Sequence, residues 1–293
     1  MAKASRALLR RIRTVQNTRR ITKTMELVSA SKLKRATDRV AAARPYAAAL
    51  GEVMGELVTP ELVEQFPLLR APLPPSKGGP ARAALLLATS NRGLCGAFNS
   101  NLIKEARRRI AELEAEGYAV DLYAIGKKGG AFFRYTGRTL AADRQDIGDK
   151  PTAAAASELA RPLIEAYLRG ELGRVEFVHA QYRSALSTPP VCTTVLPVPT
   201  PAQRGPRPDY ILAPDAESLL RELVPLYVQN AIYRGLAETA AGEHGARRTA
   251  MKSATDNATD LMNLLRRTYN KQRQAGITQE ISEIVGGAAA LQG

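Results

Sequence analysis

The feature that most constrains this chain is a pair of long, nearly uninterrupted helical stretches, one at each end. Residues 3–44 contain no glycine and no proline, so nothing in this segment interrupts an α-helix. Apolar side chains recur there and beyond at spacings of three and four residues in one heptad phase, at Leu8, Ile12, Val15, Leu33, Ala36, Val40, Ala43, Ala47, Leu50, Met54 and Leu57. Such a narrow seam predicts packing against a partner helix. At 1.5 Å rise per residue this helix would extend roughly 80 Å, which exceeds the width of a globular domain.

The middle of this stretch departs from the pattern. There the heptad phase falls on polar residues, while Ile21, Met25 and Val28 form a neighbouring apolar stripe. We therefore expect the seam to shift sideways over these residues and then to return.

The C-terminal stretch has the same character, with Pro225 as the only proline between Asp215 and Leu291. Its predicted seam consists of Leu219, Leu223, Leu226, Ala254, Ala258, Leu261, Leu265, Ile277, Ile281, Ile284, Ala288 and Leu291. Gly242 and Gly245 are expected weak points, since a helical glycine costs about 1 kcal/mol relative to alanine. Two long helices with one seam each most simply pair as an antiparallel coiled coil.

The middle of the chain reads as alternating strands and helices. Short apolar runs at 83–89, 120–125, 175–181 and 191–198 predict four strands, and residues 99–116 and 152–170 predict helices. The predicted fold is thus α/β, with a long antiparallel coiled coil of the N- and C-terminal helices plus a small Rossmann-like α/β domain. The predicted division is an N-terminal helix at 1–58, a linker at 59–80, the α/β domain at 81–208 and a C-terminal helix at 209–293.

Positive charge is concentrated in the two terminal stretches. Residues 1–45 carry thirteen Lys and Arg against two acidic residues, and residues 246–276 carry seven against two, in a chain of net charge +14. Such runs are often ordinary solvated faces, but an excess this uneven suits an acidic partner: nucleic acid, anionic lipid or acidic protein. The basic helices have almost no aromatic residues for stacking on bases. A basic coiled-coil nucleic-acid-binding protein remains the alternative function.

Catalytic motifs are weak throughout. Two cysteines and two histidines exclude a disulfide framework and argue against a dedicated metal site. Residues 90–99 follow a strand and open a helix, but they lack the glycine and lysine spacing of a phosphate-binding loop. A structural turn is favoured there, with Cys95 as a buried residue rather than a nucleophile. We expect no catalytic residue, no cofactor and no metal.

No apolar run approaches the roughly 18 residues that span a bilayer. The Arg-rich first residues also fit a mitochondrial transit peptide. The helical pattern continues past residue 30, which favours the first turns of a mature helix and a bacterial source.

Four blocks of the chain resemble one known family. They are residues 15–32 (VQNTRRITKTMELVSASK), 90–96 (SNRGLCG), 247–257 (RRTAMKSATDN) and 269–281 (YNKQRQAGITQEI). In this order and spacing they are similar to the gamma subunit of F-type, proton-translocating ATP synthases.

The resemblance implies the central rotor stalk of that complex, present in one copy. The paired helices would turn inside a hexamer of alpha and beta subunits, and the α/β domain would be the foot, seated with the epsilon subunit on the c-ring. The chain would couple proton-driven rotation to ATP synthesis or hydrolysis at the beta subunits, without a catalytic site of its own. It would bind no nucleic acid, and it would be peripheral to the cytoplasmic side of the bacterial inner membrane, through the c-ring alone.

The resemblance also implies roles for particular residues. Contacts with beta are expected at Met25, Arg247, Gln274 and Thr278, and a foot contact with the c-ring or epsilon is expected at Tyr210. The axle tip in its apolar bearing would comprise Ile281, Ile284, Val285, Ala288 and Leu291. Residues 197–208 contain no cysteine, so no thiol switch is expected in that segment.

Overall fold

A computed structural model describes residues 2–70, 81–199 and 215–290, with side chains described for 6–70, 81–199 and 215–288. The chain divides into two units. The first, here called the helical pair, is Met1–Ser29 with Arg248–Gly293, and the second, the α/β unit, is Ala30–Arg247. Both units contain parts of the two longest helices, α1 (Ala2–Leu57) and α6 (Ala216–Ala290). The predicted long terminal helices are therefore confirmed.

In the helical pair, α1 and α6 run antiparallel. Ile12 packs against Met262 and Leu265, while the hydroxyl oxygens of Thr22 and Thr255 lie 2.8 Å apart. Residue numbers thus rise along α1 as they fall along α6, which is the predicted antiparallel arrangement.

The predicted sideways shift of the α1 seam is wrong. Thr22 and Ser29 continue the original heptad phase and are buried, whereas Ile21 and Val28 are 60% and 52% exposed. The Ser29 hydroxyl donates to the Met25 carbonyl at 2.7 Å, so its hydrogen bond is made within the helix. A small polar side chain that bonds its own helix can lie in a seam without an unsatisfied buried group.

The predicted α6 seam also needs correction. Leu261 and Leu226 are exposed, and the most deeply buried apolar residues of the first part of the helix are Leu220, Val224, Val228 and Ile232. These four belong to the core of the α/β unit. The sheet and its covering helices, rather than a coiled-coil partner alone, decide which face of α6 is buried there.

The α/β unit is built on a five-stranded sheet. Its strands are β1 (Arg82–Ala88), β2 (Ala119–Ile125), β3 (Leu140–Arg144), β4 (Arg174–Ala180) and β5 (Pro190–Leu196). The order is β3-β2-β1-β4-β5, with parallel pairing among the first four and an antiparallel β5. Four of these strands match the predicted ones. The prediction lacks β3, because its sequence LAADR is short and ends in two charged residues.

Shorter helices complete the unit. They are α2 (Pro60–Gln65), α3 (Phe98–Ala115), α4 (Lys127–Tyr135) and α5 (Ala153–Leu168). Helix α2 lies inside the segment 59–80 that was predicted as a linker, and Thr59 caps it by accepting the N–H of Leu62 at 3.2 Å. Residues 71–80 of that segment lie outside the described residues.

Helices cover both faces of the sheet. Helices α3 and α4 pack on one face, on alternate residues such as Leu85 and Leu87 of β1. Helix α5 packs on the other face with parts of α1 and α6, against residues such as Leu86 and Phe177. A mostly parallel sheet with helices on both faces is a Rossmann-like layer arrangement. The predicted fold class is confirmed.

Three glycines let α6 lie directly on the sheet and its loops. A Cβ added at Gly235 would stand 2.3 Å from Cε1 of Phe177, and one at Gly242 would stand 3.0 Å from Cε2 of Phe98. At Gly245 the nearest atom would be the Ala185 carbonyl oxygen, at 3.1 Å. Helix α6 is continuous through all three. Gly242 and Gly245 are therefore close-packing positions and not the predicted weak points.

Within the described residues, no helix combines the length and the apolar character that a bilayer crossing requires.

Candidate functional site

The chemically richest part of the α/β unit lies where α1 and α6 meet two loops of the sheet. One loop follows β1 and leads to α3; the other follows β3 and leads to α5. Both leave the carboxyl ends of parallel strands, so they lie at the same edge of the sheet. In many α/β proteins this edge binds a ligand, whereas here charged side chains of α1 and α6 occupy it.

Arg247 of α6 is the centre of this cluster and is only 7% exposed. Its Nη2 donates to Oε1 of Glu243 at 2.7 Å and to the carbonyl oxygens of Gly93 and Arg92 at 3.2 and 3.3 Å. Its Nε also donates to the Gly93 carbonyl, at 3.2 Å. Burial raises the pKa of Glu243, and the charge and hydrogen bond of Arg247 oppose that rise. Arg247 thereby joins α6 to the loop that follows β1.

His244 and Asp149 extend the cluster toward α1. His244 Nε2 lies 3.3 Å from Oδ2 of Asp149, which also accepts from Lys32 Nζ at 2.5 Å. Burial lowers the pKa of His244 to about 4, so the ring is neutral at pH 7. A neutral ring that donates from Nε2 to Asp149 leaves Nδ1 as an acceptor toward Nη1 of Arg247, 3.4 Å away.

The charge of Asp149 is stabilised by its neighbours. Burial alone would raise its pKa, but the hydrogen bond and charge of Lys32 hold that pKa below the usual aspartate value. Arg39 of α1 donates to the Asp149 backbone carbonyl at 3.5 Å. Helices α1 and α6 are thus both tied to the loop that follows β3. We call Lys32, Asp149, Glu243, His244 and Arg247 the polar clamp.

Side-chain hydrogen bonds also hold the loop after β1 to its neighbours. The Ser90 N–H donates to Oδ1 of Asn99 at 3.0 Å, and Asn91 links the loop to the N–H of Lys127 and to the carbonyl of Gln145. Cys95 is buried, with the Asn99 amide 3.2 Å from its sulfur. These hydrogen bonds, with those of Arg247 to the Arg92 and Gly93 carbonyls, fix the turn in place, and the predicted burial of Cys95 is confirmed.

A second buried ionic cluster lies between α3 and the sheet. Glu176 of β4 is 2% exposed and accepts from Nε and Nη2 of Arg109 at 2.5 and 2.7 Å. Arg174 Nε lies 2.7 Å from the same carboxylate, and the Cys192 thiol donates to it at 3.2 Å. Burial alone would raise the pKa of Glu176, but these partners hold it below the usual glutamate value.

In the helical pair, the predicted partner contacts lie on the surface or close to it. Met25 is half-buried on α1, and Gln274 and Thr278 are exposed on α6. The tip residues Ile281, Ile284, Val285 and Ala288 are exposed on the same stretch of α6, with Ile284 at 71%. Leu265 is the last buried residue of α6 among those whose side chains are described, through residue 288. Tyr210 and Leu291 lie outside the described residues.

The basic residues of the helical pair face outward. The exposed ones are Arg6, Arg10, Arg11, Arg13, Arg20, Lys23, Arg248, Lys252, Arg266, Arg267, Lys271 and Arg273. Arg247 differs from them all, because it is buried in the α/β unit.

Sequence reasoning did not identify Lys32, Asp149, Glu243, His244 or Glu176 as important. One local signal was present, since Glu243 and Arg247 are four residues apart on a helix and can pair. Nothing local indicated that this pair would be buried, because its other partners lie far away in the sequence.

Comparisons with known proteins agree with the resemblance noted in the sequence. A family model described as ATP synthase matches residues 4–291. The chain is 58% identical over 286 residues to the ATP synthase gamma chain of Gemmatimonas aurantiaca, with 97% of each chain covered. It is 42% identical to that of Moorella thermoacetica, with 98% of this chain and 99% of the relative covered.

Solved structures share the fold. A chain of the Euglena gracilis mitochondrial ATP synthase, solved as an assembly of OSCP, F1 and c-ring, superposes with a TM-score of 0.66 at 20% identity. The match covers 99% of this chain and 95% of that one. The family model and the bacterial relatives span nearly the whole sequence, and the chain belongs to the ATP synthase gamma chain family.

Proposed function

We propose that this chain is the central rotor stalk of a bacterial F-type ATP synthase and that it transmits torque without catalysing a reaction. Its membership in the gamma chain family makes it a subunit of a rotary ATP synthase complex. In the proposed role it couples proton-driven rotation of a c-ring to ATP synthesis or hydrolysis in the beta subunits.

The observation that carries this proposal is the exposed end of α6. Beyond Leu265 the helix continues to Ala290, and its apolar residues Ile281, Ile284 and Val285 are exposed. Apolar side chains in such a row mark a surface that a partner covers. In the proposed role, an apolar sleeve formed by alpha and beta subunits covers these side chains. Small residues such as Ala288 would let the tip turn within the sleeve.

The proposed partners of the basic surface are acidic loops of the beta subunits. Exposed cations on both helices of the helical pair provide the complementary charge, with Gln274, Thr278 and Met25 as further proposed contacts. Within the described residues, Arg247 has four intramolecular acceptors at most 3.4 Å away. Its direct contact with beta, which the family resemblance implies, stays a prediction. The foot is proposed to bind the epsilon subunit and the c-ring, one copy per complex.

The proposed location is the cytoplasmic side of the bacterial inner membrane, reached through the c-ring. The bacterial relatives support this source. Only the positive net charge supports the nucleic-acid-binding alternative. Binding to acidic loops of the beta subunits would account for that charge equally well.

Reconstitution tests the proposed function. ATP synthase depleted of its gamma subunit would be reassembled with this chain in proteoliposomes, and ATP-driven proton uptake would be measured with a pH-sensitive dye. We expect this chain to restore proton uptake that is sensitive to a c-ring inhibitor. Failure to restore it would reject the rotor role. Salt-sensitive retention of the purified chain on DNA would then favour the nucleic-acid-binding alternative.

We predict that replacing both Ile281 and Ile284 by serine weakens coupling without destabilising the chain. Both side chains are more than half exposed, so their loss removes little packing within the chain. The measurements are the melting temperature of the chain and the ratio of proton uptake to ATP hydrolysis in the reconstituted complex. The matched control is Tyr135→Ser, which alters a 91% exposed side chain on α4. Equal coupling in the tip variant and the control would contradict the bearing role.

A further inference from the structure

We propose that the polar clamp is the rotational lock of the foot: Arg247 and Glu243 are positioning residues that fix α6 against rotation relative to the sheet. This inference rests on the proposed rotor function. It assigns Arg247 an internal role in torque transmission, in addition to the contact with beta that the family resemblance implies.

The first argument is that the clamp joins both long helices to two loops of the sheet. Arg247 bonds α6 to the loop after β1 through the carbonyls of Arg92 and Gly93. Asp149, in the loop after β3, joins His244 of α6 to Lys32 of α1. Both long helices are therefore bonded to loops of one sheet, within a single unit of the chain.

The second argument concerns the direction of force. An apolar contact resists separation of two surfaces, but it depends only weakly on small sliding movements because it is non-directional. Torque acts tangentially, and hydrogen bonds weaken steeply when their angle and distance change. Charge-assisted bonds from the planar Arg247 fork to several acceptors provide directional resistance where it is needed.

The third argument is that α6 packs closely against its neighbours beside the clamp and therefore has little room to move. Gly242 and Gly245 on either side of Glu243 bring the α6 backbone against Phe98 and the Ala185 carbonyl. A longer side chain at these positions would hold the helix away from the sheet and lengthen the clamp bonds. The burial of Arg247, His244 and Glu243 also excludes water that would compete for the same donors and acceptors.

The test uses the reassembled complex in proteoliposomes with Arg247→Gln, Arg247→Lys and Glu243→Gln. Three quantities are compared: ATP hydrolysis, proton uptake per ATP hydrolysed, and the angular fluctuation of a bead fixed to the foot while the catalytic hexamer is stalled. We expect Glu243→Gln, which leaves the proposed beta contacts untouched, to assemble and hydrolyse ATP with a loss of proton uptake per ATP and larger angular fluctuations. Arg247→Gln should show larger angular fluctuations still. Arg247→Lys should fall between Arg247→Gln and the wild type, because lysine keeps the charge but lacks the planar fork.

The matched control is Arg221→Gln. Arg221 pairs with Glu217 at the same spacing of four residues on the same helix, but both side chains are more than half exposed. A general effect of losing an arginine from α6 would appear equally in this control, whereas loss of the clamp would not. Hydrogen exchange of residues 90–97 in the complex should be about tenfold faster in Arg247→Gln, since the charged hydrogen bonds to the Arg92 and Gly93 carbonyls are lost.

The outcomes separate the clamp from the proposed function. Wild-type coupling and wild-type angular fluctuation in assembled Arg247→Gln would overturn the clamp and leave the rotor role intact. If Arg247→Gln does not assemble, the milder Glu243→Gln decides, and unchanged fluctuation there overturns the clamp. Failure of the wild-type chain itself to restore proton uptake would overturn the proposed function instead.

Discussion

Gly235→Ala is expected to destabilise the chain severely for a change of one methyl group. The added Cβ would stand 2.3 Å from Cε1 and 2.9 Å from Cδ1 of Phe177, and 3.1 Å from Cγ of His179. Both rings are buried, so neither can move aside without disturbing the core. Overpacking of this kind costs about 1–3 kcal/mol, and we expect the upper end because a rigid ring and not a flexible chain end is displaced.

The measurement is the free energy of unfolding of the full-length chain from urea titration, followed by far-ultraviolet circular dichroism. Gly51→Ala in α1 is the matched control, because no atom outside the helix backbone lies within 4 Å of the Cβ that would be added there. Alanine at an open helical position should stabilise the chain by about 0.5–1 kcal/mol. The two glycine-to-alanine changes should therefore have opposite signs. Stabilisation by both would show that α6 does not lie as close to β4 as described.

Glu176→Leu is expected to lower the free energy of unfolding by about 3 kcal/mol. The substitution removes the most buried carboxylate that Arg109 and Arg174 share, and leaves them the more exposed Glu116 and, for Arg109, Glu112. Removing one partner of a buried ion pair typically costs about 3–5 kcal/mol. The lower end applies because Arg174 is partly solvated. Glu112→Gln is the control: it removes a more exposed acceptor of the same Arg109 and should change stability little. Equal effects of the two substitutions would contradict the central role of Glu176.

Glu176→Gln tests the charge separately from the shape. The folded pKa of Glu176 lies below its usual value, so its charge stabilises the fold above the unfolded pKa of about 4.3. That stabilisation is lost as the pH falls through the folded pKa. The stability difference between the wild type and Glu176→Gln should therefore be largest near neutral pH and shrink below about pH 4. A difference that stays constant into the acid range would contradict the assigned charge state.

Local sequence patterns predicted a large part of the fold. The heptad phase of α1 correctly identified Ile12, Leu33 and Val40 as buried, and short apolar runs identified four of five strands. These predictions succeed because helix and strand periods repeat over a few residues and leave a signal in any window of that length. Residues 15–32, 90–96, 247–257 and 269–281 carried the family resemblance, which the comparisons confirm.

Predictions failed where burial depends on a distant part of the chain. The exposed Ile21 and the buried Ser29 reverse what their hydropathy indicates, because the position around the helix relative to the partner decides burial. Strand β3 forms by pairing with β2, and its own short sequence gives no strand signal. In the sequence, Gly242 and Gly245 indicate weak points of a helix. The folded chain shows that they make room for Phe98 and the Ala185 carbonyl.

The sequence by itself determined two long helices, a small α/β domain between them and the family to which the chain belongs. Only the tertiary structure decided that Arg247 turns inward, because its acceptors in the loop after β1 lie more than 150 residues away along the chain. From the local sequence alone, a charged residue on a helix is predicted to be exposed. Whether it is instead buried and bonded depends on the acceptors that the folded chain brings to it.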